Sequence, residues 1–299
     1  MFSPLAELHR HLDGSIRFET LVELATCKQL ELPEDLPFQA GMGLEDALAR
    51  FAFTLSVLQD PAAVERVARE MVEDAEQEGV SHLEIRFAPQ LHQGAPLEEI
   101  VDAASSGVDG KAGLILCGLY GEAPKMLEDL VEVARHRPLV VGLDLAGGPA
   151  PFHTWGMLDY APAFSLAREF GLGRTVHAGE GRPPQEIAYA IESLHAQRIG
   201  HGTTLLEDER VVEMVLKSGV TIEACPTSNV HVGAIASVAA HPLKEWLKRG
   251  VKTTLCSDNT FFSQTTAKNE LEVMVASQQL SDGEIEGLIA CGHQASFKR

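Results

Sequence analysis

The amino-acid sequence predicts a single (β/α)8 barrel, and three observations carry that expectation. Short β-prone runs recur eight times along the chain. Helix-forming stretches fall between them, so each strand needs a crossover to reach a parallel neighbour. No linker, repeat or low-complexity segment divides the 299 residues, so residues 1–299 read as one domain. Eight such units in a chain of this length suit a closed barrel. An open doubly wound sheet is the structural alternative, but no G-x-G-x-x-G follows a strand to support it.

The expected strands lie at 5–9, 82–87, 113–120, 139–147, 174–179, 198–202, 220–226 and 251–258. Several are apolar nearly throughout, as strands covered on both faces should be. Asp60 and Pro61 read as a helix N-cap followed by proline at the first helical position. Val64, Val67, Ala68, Met71, Val72 and Ala75 then share one helical face, and Gly79 closes the helix. Residues 207–218 and 241–249 also read as helices, and Ser281 with Glu284 forms a capping box for a last one. The segment 18–80 is too long for one crossover and predicts extra helices near the barrel mouth.

Composition excludes several functions. A net charge of −19 repels phosphate backbones, which argues against sequence-independent nucleic-acid binding and against docking on anionic lipid. It leaves a neutral small molecule as a partner. No run of apolar residues is long enough to span a bilayer, and no leader pattern opens the chain. Five cysteines, with no C-x-x-C pair, argue against a disulfide framework or a cysteine zinc ribbon. They read as buried reduced thiols of a cytoplasmic protein.

The chemistry gathers at strand ends. His9 and His11 are two apart on the first strand, so their imidazoles point the same way. The C-terminal rim of a barrel is where active sites lie. His177 ends another strand and Asp258 ends the last. Three histidines and one carboxylate suit a catalytic metal with a position left for water. The competing reading makes these histidines core groups bonded to backbone carbonyls.

The motifs that contain these residues resemble those of the adenosine deaminases. His9-Arg10-His11-Leu12-Asp13-Gly14 is similar to that family's H-x-H-L-D-G. Asp144–Gly147 matches D-L-A-G, His177–Glu180 matches H-A-G-E, Arg198–Gly202 matches R-[IL]-G-H-G, and Ser257–Asn259 matches [ST]-D-[DN]. They stand in family order. The resemblance implies one Zn2+ per chain held by His9, His11, His177 and Asp258. It implies Glu180 as the acid that protonates ring N1, His201 as the group that orients and helps deprotonate the attacking water, and Asp258 as a further acceptor for that water. Gly147 is expected to offer its N–H to ring N3, and Asp13 to bind a sugar hydroxyl. His11 and Asn259 are also expected at the substrate. Asn259 departs from the commoner aspartate, yet a neutral amide still donates to purine N7. The implied reaction turns a 6-amino purine nucleoside, adenosine or deoxyadenosine, into its 6-oxo product and ammonia.

Leu48, Phe51 and Phe53 fall where the family has an apolar lid, although their spacing equally suits core. Arg86 is expected to be a buried, paired barrel residue, and the acidic run 73–78 a solvated helix face. Two alternatives stay open. One is a deaminase of 6-aminodeoxyfutalosine or another 5′-modified adenosine in menaquinone biosynthesis, because the stretches at 29–43 and after the third strand look trimmed. The other is a different mononuclear amidohydrolase. Binuclear relatives are disfavoured, because VVGLDLAGG lacks the lysine such sites carboxylate. A non-catalytic barrel is disfavoured by the presence of both Glu180 and His201. The oligomeric state is not legible.

Overall fold

The computed structural model describes residues 3–298. Eight parallel strands pair in chain order: β1 Leu5–His11, β2 Val80–Phe87, β3 Ala112–Leu119, β4 Val140–Ala146, β5 Gly173–Ala178, β6 Arg198–His201, β7 Thr221–Ala224 and β8 Thr253–Leu255. This is the (β/α)8 barrel expected from the sequence. The helices are α1 Phe18–Cys27, α2 Leu44–Val57, α3 Pro61–Glu78, α4 Leu97–Val108, α5 Pro124–Ala134 and α6 Ala161–Glu169. They continue as α7 Gln185–Glu192, α8 Glu209–Ser218, α9 Pro226–His231, α10 Leu243–Arg249, α11 Ala267–Gln278 and α12 Asp282–Ala295.

The strands hold together because their side chains leave water on both faces. Leu114, Ile115 and Leu116 of β3 are all fully buried, and so are Val176 and Ile199. The six apolar residues read as one face of α3 are all buried. Pro61 opens that helix and Gly79, at φ 83°, ends it in the left-handed conformation. The Asp60 side chain makes no capping bond; it pairs with Lys28 instead. The capping box of Ser281 and Glu284 forms as expected. No helix among the described residues is long and apolar enough to cross a membrane.

The ring is closed at one point. Among the described residues no ladder joins β8 to β1; a single bridge pairs Arg10 with Asp258. Its hydrogen bonds run from His11 N to Asp258 O and from Asp258 N to His9 O, both 2.8 Å. Asp258 therefore lies three residues beyond β8 rather than at its end. The long excursion between β1 and β2 carries α1, α2 and α3, as its length demanded.

Two expectations need correction. Cys27 is exposed and Cys291 half-buried, so only Cys117, Cys225 and Cys256 are core thiols. Glu78 is not a solvated member of an acidic face. It accepts from Arg10 at 2.6 and 3.2 Å and from the N–H of Ala267, tying α3 to β1 and α11.

Glu270 on α11 makes the fold pH-sensitive. It is buried, and accepts from Thr265 Oγ1 at 2.7 Å and Thr227 N at 3.2 Å. Burial raises its carboxyl to about 7, against the opposing hydrogen bonds from Thr227 and Thr265. The folded state thus favours the proton, and stability is lost as pH rises from the ordinary carboxyl range through 7. Glu270→Gln should therefore gain stability relative to the parent across that window, by up to about 3 kcal/mol, and the difference should level off above it. Urea midpoints measured from pH 4 to pH 8.5 check this.

Candidate metal centre and active site

β1 places His9 and His11 on one side, with the rings 5.3 Å apart. His177 arrives from β5, its ring 4.6 Å from that of His9 and 5.4 Å from that of His11. His11 Nε2 lies 3.3 Å from His177 Nε2 and 3.4 Å from Asp258 Oδ1. Asp258 Oδ1 is also 3.6 Å from His9 Nε2. The four expected ligands therefore converge. His201, from β6, joins them, with its ring 5.0 Å from those of His9 and His177. Cys225 is a further neighbour, grouped with His9 and Asp258.

Three facts show that these residues fit a metal ion. His9 Nε2 is buried with no hydrogen-bond partner, a costly state unless something else satisfies it. Burial, with cationic neighbours second, pushes the imidazoles of His9 and His11 well below their ordinary range. They are neutral lone-pair donors at pH 7, as ligation requires. The third fact is charge. Beneath the site, Arg86 bonds Asp144 at 2.8 Å and Glu223 at 2.9 Å, while Arg198 contacts Glu223 at 2.6 Å and Glu84 at 2.7 Å. Three carboxylates against two guanidiniums, with Asp258 added, leave two negative charges that a divalent cation would cancel.

The same network orients the ligands. Glu223 accepts from His9 Nδ1 at 2.7 Å, leaving Nε2 to face the centre. Asp144 sits 3.1–3.2 Å from His177 Nδ1 and does the same there. Such outer partners fix ring orientation and raise ligand basicity. Burial alone would raise the Asp144 carboxyl, but His177 and Arg86 hold it well below the usual range. Arg86 is the buried, paired residue the sequence suggested, and Asp144 within D-L-A-G gains a role. Glu223 and Asn229 were missed.

Asn229 lies on α9, directly after β7. Its Nδ2 is 3.0 Å from His201 Nδ1 and 3.4 Å from Glu180 Oε1. One buried amide thus spaces the two groups expected to move protons. The signal available in the sequence was C-P-T-S-N, a strand exit with proline opening a helix. Glu180 is buried and 3.4 Å from His201. Burial raises its carboxyl to about 7; Arg182 opposes the rise and Asp258 adds to it. His201 is pushed well below its ordinary range, chiefly by burial.

The remaining expected residues border the same space. Gly147 follows β4 at φ 76°, a conformation that favours glycine, with nothing within 4 Å of where a Cβ would stand. Asp13 is buried in the turn after β1, its Oδ1 is unpartnered, and burial raises its carboxyl to about 7. Asn259 packs on that turn so tightly that a Cβ on Gly14 would fall 1.8 Å from its Oδ1. That contact explains the glycine in the L-D-G motif. Of the apolar lid candidates, Phe51 is the one at the site, its ring 6.5 Å from His11 and packed edge-on to Phe262 at 4.8 Å. Leu48 is exposed, and Phe53 packs against the core. Among the histidines set aside, His241 is buried against Trp246 and pushed to about 3 by burial.

A barrel whose rim joins three imidazoles, a carboxylate and a buried neutral acid is that of a hydrolase of the amidohydrolase kind. The chain belongs to the adenosine deaminase family, whose model, described as "Adenosine deaminase", matches residues 4–299. It is 36% identical to a probable adenosine deaminase of Dictyostelium discoideum over 98% of its own length, but spans only 40% of that relative. It is 33% identical to an adenosine deaminase of Clostridium kluyveri, covering 98% of this chain and 89% of the other. Among solved structures it resembles an adenine deaminase from Arthrobacter aurescens, with 28% identity, a TM-score of 0.88, and coverage of 99% and 94% of the two chains. It likewise resembles an Arabidopsis N6-mAMP deaminase, with 27% identity, a TM-score of 0.88, and coverage of 99% and 93%.

Replacing Asn229 by alanine would leave Glu180 and His201 without their common spacer. Turnover should fall about 10- to 100-fold with KM changed only a few-fold, because the loss lies in proton transfer. Steady-state kinetics on the variant, with metal content measured in parallel, check this.

Proposed function

We propose that this deaminase acts, with one zinc ion, on the 6-amino group of an adenine nucleoside, most directly adenosine or deoxyadenosine. The observation that carries the reading is Glu180: a carboxyl raised to about 7 by burial, beside a neutral imidazole and the ligand cluster. A zinc ion held by His9, His11, His177 and Asp258 would acidify a water enough for attack at neutral pH.

The protein side of the reaction is read from the family motifs, and the site geometry supports it. Glu180 delivers a proton to ring N1, which makes C6 electrophilic; a carboxyl kept neutral in a poorly solvated site is suited to that step. His201, neutral and with Nδ1 accepting from Asn229, carries its proton on Nε2, from which it donates to the attacking water and orients it. Asp258 accepts the hydrogen bond that fixes the water's second proton. Gly147 has room beside its backbone for a base edge, and Asp13 offers an unpartnered oxygen to a sugar hydroxyl. Asn259 serves ring N7 as a neutral donor. Phe51 excludes water from the covered face.

Arg182 favours a second reading, a 5′-modified adenosine such as 6-aminodeoxyfutalosine. Its Nε pairs with Glu186 at 2.9 Å, yet NH1 and NH2 are buried without partners. It stands 3.9 Å from Glu180 and borders the space over Gly148, which Leu44 at the start of α2 also borders. An acceptor on the substrate would satisfy both donors.

About one zinc per chain, with turnover on adenosine abolished in Glu180→Gln and zinc retained, is the expected result; ultraviolet absorbance follows the conversion. Zinc without turnover on any adenine nucleoside would move the assignment to another amine or amide. Arg182→Gln should depress kcat/KM for the aminodeoxyfutalosine substrate about tenfold or more while sparing adenosine, if the second reading holds. Equal effects on both substrates would remove it.

A further inference from the structure

One cavity lies at the end of the barrel opposite the chemistry above. It has a volume of about 1370 Å³. The first residues of β3, β4, β5 and β7, which are Ala112, Val140, Gly173 and Thr221, line it. It therefore opens at the N-terminal face, opposite the ligand cluster, and residues 291–298 form one wall.

Its charge is the reverse of the protein's. Arg135, Arg137, Arg168, Arg174, Lys252 and Lys298 line it, and no aspartate or glutamate does. The chain carries 43 acidic residues against 24 lysines and arginines, so a cavity with six cations and no acid is a strong local reversal. Arg135 and Arg137 have ion-pair partners in Glu132 and Asp102, outside the lining. Among the described residues, Arg168, Arg174 and Lys252 have none. Arg174 directs Nε and NH1 to the carbonyls of His195 and Leu172, at 2.8 and 2.7 Å. Its NH2 is left for another acceptor. Burial first, and then the charge of Arg168, lower the Arg174 guanidinium from its ordinary range.

We propose that this cavity is a binding site for a compact multivalent oxyanion, the di- or triphosphate group of a small metabolite. Arg168, Arg174 and Lys252 line the cavity without an ion-pair partner, and a polyanion would supply the missing counter-charge. Guanidiniums match phosphate oxygens bidentately, and lysine adds a point charge. The side chain of Phe170, half-exposed and stacked 4.7 Å under Arg135, gives the rim an apolar surface for the rest of such a molecule. The ligand must be small. Beyond a Debye length of about 8 Å the cluster is screened, and the surrounding net charge of −19 repels a long polyanion. The site is separate from the deaminase reading and stands or falls without it.

Titration calorimetry of the full metal-loaded chain with tripolyphosphate, which carries no base to enter the active site, tests the proposal. One ion per chain should bind saturably, more weakly at 200 mM than at 50 mM salt. Arg168→Gln/Lys252→Gln, both exposed positions, should weaken binding at least tenfold with deamination unchanged. Arg174 is unsuitable for this test because its two carbonyl contacts hold the start of β5. Absence of saturable binding overturns the proposal. So does heat that persists in the double variant, as extraction of a metal would, and so does displacement of the ion by adenosine.

Discussion

Two backbone hydrogen bonds close this barrel, and they belong to the residues that form its centre. His9 gives its carbonyl and His11 its N–H to Asp258, so the seam between the first and last strands also joins three residues of the cluster at the rim. Asp258 makes that join at φ 61°, a left-handed conformation that costs an aspartate roughly 1 kcal/mol or more. Glu7 secures the preceding residue, accepting from Ser257 N and Oγ at 2.9 and 2.6 Å while also accepting from His9 N. Arg10 reaches Ser257 Oγ as well and locks outward onto Glu78. The helical layer, the seam and the ligand geometry are thus one mechanical unit.

Below that unit lies a charged floor where most barrels have hydrocarbon. Arg86 and Arg198 alternate with Asp144, Glu223 and Glu84, all with side chains essentially inaccessible to water. Burying so many charges is expensive, and their mutual attraction repays it only when the geometry is tight. Their use is direction. Each carboxylate that accepts from an imidazole Nδ1 chooses which nitrogen faces the centre. A hydrocarbon floor would leave His9 and His177 free to turn over. The same dry surroundings that make the charges costly raise the Glu180 carboxyl to about 7, so the penalty and the shift come from one cause.

The fold and the cluster of residues that converge at the rim were legible in the sequence because both depend on local patterns. A strand reveals itself by a short apolar run, and His9 with His11 by their spacing of two. His177, Glu180, His201 and Asp258 stood at strand exits, where a barrel puts its chemistry. Asn229 and Glu223 escaped because nothing local marks them. Glu223 meets His9 across 214 residues, and Asn229 meets Glu180 across 49. Glu78 misled for the same reason: its neighbours on α3 are solvated, and only the approach of Arg10 makes it internal. The basic cavity was equally hidden, since its cations are scattered from Arg135 to Lys298 and are outnumbered by acids over the chain as a whole.

The seam at Asp258 also sets a timetable. His9 is made with the first strand and Asp258 only after the eighth, and no bond between them exists until that strand has been made. A growing chain can pair β1 with β2 and then lay down each βα unit in turn, yet it holds an open ladder with an unfinished centre. Such distant pairing is slow to form, because loop-closure entropy must be overcome first. The cluster of His9, His11, His177 and Asp258 is thus assembled only once the eighth strand is in place, so the rim and the ring are completed by the same event.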